Sequence, residues 1–346
     1  MDAKGEVLIT IMASLAQQEY ILYSTGFLCR RNCSRRCKGM RKGRIIDSHA
    51  HLVQYIAGTG AGGELRSIGN GMAVYANGQT VRMIPKEFGG DQVTPEHLLQ
   101  VMDKNGVEKA VLLQGNFYGY QNYYTHLAVK KYPDRFAGAG AYDPFSRDKD
   151  GIRRYLFEEL GFKIEKFEVS TGSGLMAIHP ELKLDGPVMD EACSYACDHG
   201  HVFVIDIGKC GSDSWQVPEL CNLVKRYPEM KFVACHLLAP SNKDKDRLRW
   251  ALEQLQLPNL WFDLSSVVHN CRPDEYPYPK AIEFIQLAKE MVGAEKLMFG
   301  TDFPSALKED VYGHYVGYIA DSTVFTDQEK EQIFYENAYG VYFNHH

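Results

Sequence analysis

The sequence places two histidines, separated by one residue, directly after a short apolar run, in the segment IIDSHAH at residues 45–51. Successive side chains of a β-strand point to opposite faces, so His49 and His51 share one face. Two neutral imidazoles at a strand end can bind one divalent metal ion. Asp302 follows another apolar run near the C-terminus and can add a carboxylate ligand. A pair of hydrogen-bonded structural histidines is the alternative explanation.

Two further carboxylates end apolar runs in the middle of the chain. Asp206 ends the run VFVID, and Glu168 ends the run IEKFE with Lys166 on the same face of that strand. Carboxylates gathered at one site need either a cation or a raised carboxyl pKa to balance their charge. A buried ion pair between Lys166 and Glu168, without metal, is the alternative. The predicted metal ligands are therefore His49, His51, Asp206 and Asp302, with Glu168 as a further candidate.

The elements that position these residues alternate along the chain. Apolar runs predict eight strands, at residues 44–48, 109–114, 136–142, 162–169, 201–207, 231–235, 260–264 and 296–300. Amphipathic segments predict helices at residues 95–105, 122–131, 187–199, 218–226, 244–256, 279–291 and 327–337. This pattern, without an obvious linker, favours an α/β fold of one (β/α)8 TIM barrel over two domains. In such barrels the active site lies at the carboxyl ends of the strands.

One segment, at residues 54–93, interrupts the alternation after the first strand. Loops of this length in a compact domain are usually functional or mobile, so we predict a lid or small insertion over the barrel mouth. Arg82 in this segment is a candidate for binding a substrate carboxylate, the alternative being an arginine that points into water. Asn116, after the second strand, and Lys166 are the other predicted substrate-binding residues.

Composition and charge exclude several classes of function. The chain has 346 residues and a net charge of −6, which argues against a general affinity for nucleic acid. No run approaches the ~18 apolar residues of a membrane-spanning helix, so we expect no membrane partner. The nine cysteines are odd in number and lie mostly in apolar stretches, which favours a reduced compartment, the cytoplasm. A small molecule is the expected substrate.

The first 39 residues differ in charge from the rest of the chain. They contain six basic and three acidic residues, a net charge of +3 in a chain whose total is −6. Met40 opens the more natural beginning MRKGR, directly before the first strand. We therefore expect residues 1–39 to be a basic, dispensable N-terminal extension that is not part of the native fold, and residues 40–346 to form the barrel domain.

The chain from about Arg44 to Phe343 resembles the amidohydrolase superfamily, in particular the amidohydrolase-related group that contains aminocarboxymuconate semialdehyde decarboxylase, resorcylate decarboxylases and various hydrolases. The matching segments are IDSHAH at 46–51, TPE at 94–96, YPDRF at 132–136, CHL at 235–237, FGTDFP at 299–304 and ENA at 336–338. The resemblance implies that His49, His51 and Asp302 approach a catalytic metal and that His236 acts on substrate or water. Relatives usually have a histidine ligand where this chain has Asp206.

We expect a metal-dependent hydrolase acting on a small carboxylate, lactone or amide-like substrate. One divalent ion, zinc first and manganese second, would activate water, with Asp302 taking the proton and His236 stabilising the oxyanion or acting as general acid. The first alternative is a non-oxidative decarboxylase (carboxy-lyase) of an aromatic or unsaturated carboxylic acid. The second is a metal-free binding protein or degenerate enzyme. The resemblance alone implies a homodimer.

Overall fold

The computed structural model describes residues 44–344, so the predicted extension at residues 1–39 lies outside the described part of the chain. Within it, all eight predicted strands are present, each overlapping its predicted range. They are β1 (Ile46–Ala50), β6 (Lys109–Leu112), β7 (Phe136–Gly138), β8 (Ile164–Glu168), β9 (Val202–Asp206), β10 (Phe232–Ala234), β11 (Leu260–Asp263) and β12 (Leu297–Met298). Four further strands lie between β1 and β6 and form a separate sheet.

The eight strands are parallel and form two sheets. One has the order β12-β11-β10-β9-β8, and the other has the order β1-β6-β7. Isolated parallel bridges link the two sheets at both edges, between Ala50 and Phe303 and between Gly140 and Glu165. The fold is therefore of the α/β class with parallel strands, whose carboxyl ends all lie on one side.

The segment after β1 contains a four-stranded antiparallel sheet. Its strands are β2 (Ala57–Gly60), β3 (Gly63–Gly69), β4 (Met72–Tyr75) and β5 (Thr80–Arg82), paired in that order. The main-chain N–H groups of Thr59 and Ala61 donate to Asn116 O and Gly172 O, both at 2.9 Å. A Cβ at Gly58 would lie 2.0 Å from the Phe117 main-chain oxygen. This sheet is thus docked on the loops that follow β6 and β8 through main-chain atoms and a position that only glycine fits.

α-Helices alternate with the parallel strands along the chain. They are Pro95–Asn105, Asn122–Lys131, Lys149–Arg153, Pro187–Asp198, Val217–Arg226, Lys245–Gln254, Val267–Asn270, Pro279–Val292, Tyr312–Ala320, Asp327–Glu331 and Asn337–Tyr342, with π-helical segments at Arg154–Glu159 and Gln332–Glu336. The first begins at Thr94, whose hydroxyl accepts from His97 N, and ends at Gly106 in the left-handed conformation. None of the helices in the described residues combines the length and the apolar character that crossing a bilayer requires.

Two apolar layers pack against the parallel strands. The inner layer contains Ile46, Val111, Val204 and Met298, with Tyr342 from the C-terminal helix. The outer layer lies between strands and helices and contains side chains of the opposite strand face, such as Phe167. Side-chain alternation along β8 therefore directs Phe167 outward and Lys166 and Glu168 inward. Every residue of β1 is buried, as expected for a strand covered on both faces.

Candidate metal centre and active site

Three of the predicted ligands converge at the carboxyl ends of β1 and β12. His51 Nε2 lies 3.2 Å from His49 Nε2 and 3.1 Å from Asp302 Oδ1. The third side of this triangle, from His49 Nε2 to Asp302 Oδ1, measures 4.0 Å. A main-chain hydrogen bond of 2.9 Å from Asp302 N to His49 O joins the two chain segments. We call these three residues the ligand triangle.

The hydrogen bonds behind each imidazole fix the position of its proton. His49 Nδ1 lies 3.0 Å from Asp263 Oδ2, and His51 Nδ1 lies 3.0 Å from the Leu113 main-chain oxygen. Because a carboxylate and a carbonyl only accept, each Nδ1 carries a proton, and in its neutral form each ring presents the lone pair of Nε2. When both rings are neutral, two lone pairs and a carboxylate oxygen face one another. This donor set fits a divalent cation.

Burial and neighbouring charges set the protonation of His49 and of two carboxylates, Asp302 and Asp263. Burial lowers the pKa of His49 to about 4, so the ring is neutral at pH 7. Burial raises the pKa of Asp302, but the hydrogen bond from His51 and the charge of His236 lower it below its usual range. Burial also raises the pKa of Asp263, and the adjacent His49 more than reverses this. Both carboxyl groups are therefore ionised.

His236 stands beside the ligand triangle and is oriented by Ser265. Its ring centroid lies 4.7 Å from that of His49. Ser265 donates its hydroxyl proton to Asp263, so its oxygen accepts from His236 Nδ1 at 2.8 Å. His236 Nε2 is left 3.6 Å from Asp206 Oδ2. Burial lowers the pKa of His236, but Asp206 and Asp263 raise it, and the net shift is upward.

A cavity of about 200 Å³ contains the ligand triangle. It is lined by His49, His51, Gln114, Gly115, Phe117, Tyr118, Lys166, Glu168, Ser173, Asp206, His236, Asp302 and Ser305. We call it the inner cavity. Glu168 Oε1 accepts from Ser170 Oγ at 3.1 Å and from Ser173 Oγ at 2.6 Å. A Cβ at Gly115 would lie 2.3 Å from Glu168 Oε2, so a glycine there makes room for this carboxylate.

The main chain around the site adopts left-handed conformations. The four residues 236–239 have φ of 59°, 50°, 63° and 48°, Ser266 has 55° and Asp302 has 64°. For a non-glycine residue this conformation costs about 1–2 kcal/mol, and such strain concentrates at functional sites. Ser266 Oγ donates to Asp302 Oδ2 at 2.6 Å. Two strained residues thus fix the orientation of the carboxylate in the ligand triangle.

Three other predicted site residues line the inner cavity without belonging to the ligand triangle. Asp206 and Glu168 line the inner cavity but are bonded to other groups, so their ligation of a metal stays a prediction. Lys166 also lines the inner cavity. Burial lowers the pKa of Lys166, but Cys235 and Asp206 raise it by a larger amount, so the amine stays charged.

Two predicted substrate-binding residues are placed outside the inner cavity. Asn116 is buried, and its main-chain oxygen accepts from Thr59 N. The Arg82 guanidinium donates to the main-chain oxygens of Asn70 at 2.9 Å and Ile84 at 3.3 Å. Neither side chain is among those that line this cavity.

The site also contains residues to which the sequence assigned no role. Asp263 is fully buried and accepts from His49 Nδ1, His236 N and both donors of Ser265. Ser266 holds Asp302. The available signal was an aspartate followed by serines at a strand end, which is weak because turns after strands often carry these residue types.

The protein has a parallel α/β fold in which a His-X-His pair and an aspartate meet at the carboxyl ends of the strands. These features define a class of α/β proteins with a candidate metal-binding site. The particular family follows from the sequence: the chain belongs to the Amidohydrolase family, whose sequence model matches residues 46–343. None of the curated proteins compared with the chain matches it.

Solved structures share the fold at low sequence identity. An amidohydrolase from Burkholderia multivorans with bound Zn is 17% identical, with a TM-score of 0.63 over 87% of this chain and 99% of that one. A probable 2-pyrone-4,6-dicarboxylic acid hydrolase from Acinetobacter baumannii, with citric acid bound, is 17% identical, with a TM-score of 0.64 over 86% and 98%. The 5-carboxyvanillate decarboxylase from Novosphingobium aromaticivorans, complexed with manganese, is 18% identical, with a TM-score of 0.50 over 70% and 78%.

Proposed function

We propose that the chain is a metal-dependent hydrolase acting on a small carboxylate, lactone or amide-like substrate. The observation that carries the proposal is the ligand triangle, in which Nε2 of two imidazoles and a carboxylate oxygen converge within 4.0 Å. A divalent cation between these atoms would accept the lone pairs of both neutral rings and balance the charge of the carboxylate. Membership of the Amidohydrolase family supports the same conclusion.

His49, His51 and Asp302 would hold one divalent ion. We propose zinc, with manganese as the alternative, because two imidazoles and a carboxylate suit both ions and solved relatives carry each of them. Such an ion supplies Lewis acidity, which lowers the pKa of water and polarises a carbonyl group. Asp206 acts in this proposal as the partner of His236, since it lies beside Nε2 of that ring.

The chain's own residues provide the proton transfers. Asp302 is the general base for a water molecule, and Ser266 holds its Oδ2 so that Oδ1 faces the two histidines. Because Ser265 accepts from Nδ1 of His236, Nε2 is the atom that donates a proton to the developing oxyanion or the leaving group. Lys166, a buried cation on the cavity wall, is placed to attract an anionic part of the substrate.

A non-oxidative decarboxylase of an aromatic or unsaturated acid is the second candidate. The observation that favours it is the pair of aromatic side chains, Phe117 and Tyr118, that line the inner cavity and suit a flat substrate. The similarity to 5-carboxyvanillate decarboxylases agrees with this alternative but shows only a shared fold. In this reaction His236 or Asp302 would deliver the proton to carbon.

One set of measurements separates these proposals. Protein purified without added metal is analysed for zinc and manganese, then assayed on aryl lactones, esters and hydroxybenzoates before and after chelation. Acid release without carbon dioxide, abolished by chelator and restored by zinc or manganese, supports the hydrolase. Carbon dioxide release supports the decarboxylase. His51→Gln should lose metal, whereas the control His314→Gln, a change outside the cavity, should retain it. A wild type that binds no metal and stays inactive with both ions contradicts both reactions and leaves the binding protein.

The wider organisation of the protein is part of the proposal. Main-chain hydrogen bonds from Ser48 N to Phe299 O and from Lys166 N to Gly140 O, both 2.9 Å, join the two parallel sheets and support a closed (β/α)8 TIM barrel. The six cysteines in the described residues are unpaired, which supports a reduced compartment such as the cytoplasm. We retain a homodimer as a proposal, for which a sedimentation measurement is the direct test.

A further inference from the structure

A second cavity of about 430 Å³ adjoins the inner cavity. The two cavities share four lining residues, Glu168, Ser173, Asp206 and His236. The second cavity is therefore adjacent to side chains that are proposed to take part in catalysis. We call it the outer compartment. A ligand whose reacting group lies at the ligand triangle can extend into it past His236.

The outer compartment is polar, and its polar groups come from the segments that follow four different strands. Ser170 follows β8, Lys209 follows β9, Ser241 follows β10 and Asn270 follows β11. Hydroxyl, amide and ammonium groups can all donate hydrogen bonds. The lining contains one lysine and no arginine. The chemistry of the compartment is thus that of a site for a small polar or anionic group.

Lys209 is the one lysine that lines this compartment, and two carboxylates that contact its lining residues Ser241 and His269 are already paired. Asp244 accepts from Arg247 Nη1 at 3.2 Å and from the Ser241 hydroxyl. Glu309 lies 2.6 Å from His269 Nδ1. Within residues 44–344, no ion pair joins the exposed Lys209 side chain to any carboxylate. A cation that lines a cavity without an anionic partner attracts an anionic ligand.

The carboxylates at the inner end of the compartment are also compensated. Glu168 accepts from the hydroxyls of Ser170 and Ser173. Asp206 accepts from Gly208 N at 2.8 Å and has His236 Nε2 beside it. These contacts reduce the repulsion that either carboxylate would exert on a ligand anion. An anionic group near Lys209 is therefore electrostatically acceptable.

We propose that the outer compartment binds a carboxylate of the substrate through Lys209, while the reacting group of the same molecule lies in the inner cavity. The substrate class is then a small acid whose carboxylate is separated from the reacting carbonyl by a spacer. The position of the reacting group rests on the proposed function. The anion site rests only on the lining and the charges of the outer compartment.

The test measures binding rather than turnover. Dissociation constants are determined by calorimetry for dicarboxylates from succinate to pimelate and for monocarboxylates of equal chain length. We expect at least one dicarboxylate to bind about 10-fold more tightly than its monocarboxylate, because the second carboxylate reaches Lys209. Lys209→Ala should reduce this ratio to about 1, and Lys209→Arg should preserve most of it. Lys243→Ala, which removes an exposed lysine of a neighbouring loop, should leave it unchanged.

Two results would overturn the proposal: equal binding of mono- and dicarboxylates by the wild type at every chain length, or a ratio that survives Lys209→Ala. The measurements are repeated on metal-stripped protein, where the contribution of Lys209 should persist. If dicarboxylates bind more tightly than monocarboxylates but the metal-loaded protein hydrolyses nothing, the anion site is supported and the proposed function is contradicted. If the protein is a metal-dependent hydrolase but binds mono- and dicarboxylates equally, the proposed function is supported and the anion site is contradicted.

Discussion

Substitution of Asp263 by asparagine should weaken metal binding without weakening the metal-free fold. Three donors bond Asp263 Oδ1, from His236 N and from the N–H and hydroxyl of Ser265, whereas His49 Nδ1 bonds Oδ2. An unsatisfied buried donor costs about 1–3 kcal/mol, so in Asp263→Asn the amide oxygen stays on the side with three donors. The NH2 group then faces His49 Nδ1.

This orientation forces His49 into the other tautomer. Nδ1 becomes the acceptor, and the proton moves to Nε2, the atom that faces His51 and Asp302. A protonated Nε2 cannot ligate a metal ion. Changes in groups that orient metal ligands usually reduce affinity about 10- to 100-fold, which is about 1.4–2.7 kcal/mol. In the metal-free protein the new N–H has acceptors, so stability should be nearly preserved.

Competition with a chromogenic zinc chelator measures the affinity, and urea unfolding with and without zinc measures stability. The increase in the free energy of unfolding that zinc causes should fall by about 1.4–2.7 kcal/mol, because binding and folding are linked. Asp47→Asn is the matched control: Asp47 is equally buried and bonds Thr301 and Tyr312, but not an imidazole ring. If Asp263→Asn binds zinc as tightly as the wild type, or is destabilised equally without zinc, the tautomer argument is wrong.

Three further predictions follow from single residues. Asp302→Asn should reduce turnover more than about 100-fold through loss of the base, with an almost unchanged urea midpoint; substantial remaining activity would contradict its role. Ala239→Gly should raise the free energy of unfolding by about 1 kcal/mol, because glycine relieves the left-handed strain, and an unfolding curve that shows no gain would count against that strain. Burial raises the pKa of Glu165 from 4.5 to about 8, although Arg153 and Tyr142 oppose it. The folded state then binds the extra proton, so the contribution of Glu165 to stability is full below the lower value and is lost as pH rises through the higher one. Relative to Glu165→Gln, the wild type should lose stability between about pH 4.5 and about pH 8, and parallel pH profiles would refute this.

Local sequence signals predicted most of the regular structure. The helix Pro95–Asn105 has its predicted bounds because Thr94 caps its start and Gly106 ends it. The strand predicted at residues 136–142 is shorter in the structure, Phe136–Gly138. The prediction was too long because the apolar residues continue past the point where the regular strand pairing ends. The predicted insertion at 54–93 contains four strands that its glycine-rich composition did not indicate, because their pairing depends on turns and on contacts with distant loops.

The site was predictable only where function follows from position on a strand. His49 and His51 share a face by alternation, and Asp302 follows a strand end, so their meeting could be anticipated. The role of Asp263 could not, because its partner His49 lies 214 residues away along the chain. Arg82 was chosen for its charge, but its guanidinium bonds main-chain oxygens of its own segment. Residue type gives no information about such distant geometry.

The attachment of β2 through main-chain atoms has a consequence for how this protein can evolve. Every residue except proline offers an N–H group, so drift in β3, β4 and β5 leaves the anchoring bonds of Thr59 and Ala61 intact. Within β2, Gly58 and Gly60 are constrained by crowding against neighbouring backbone. The small sheet is therefore an exchangeable module: selection can remodel its outer strands, or replace them with those of a relative, while the chemistry beneath continues undisturbed.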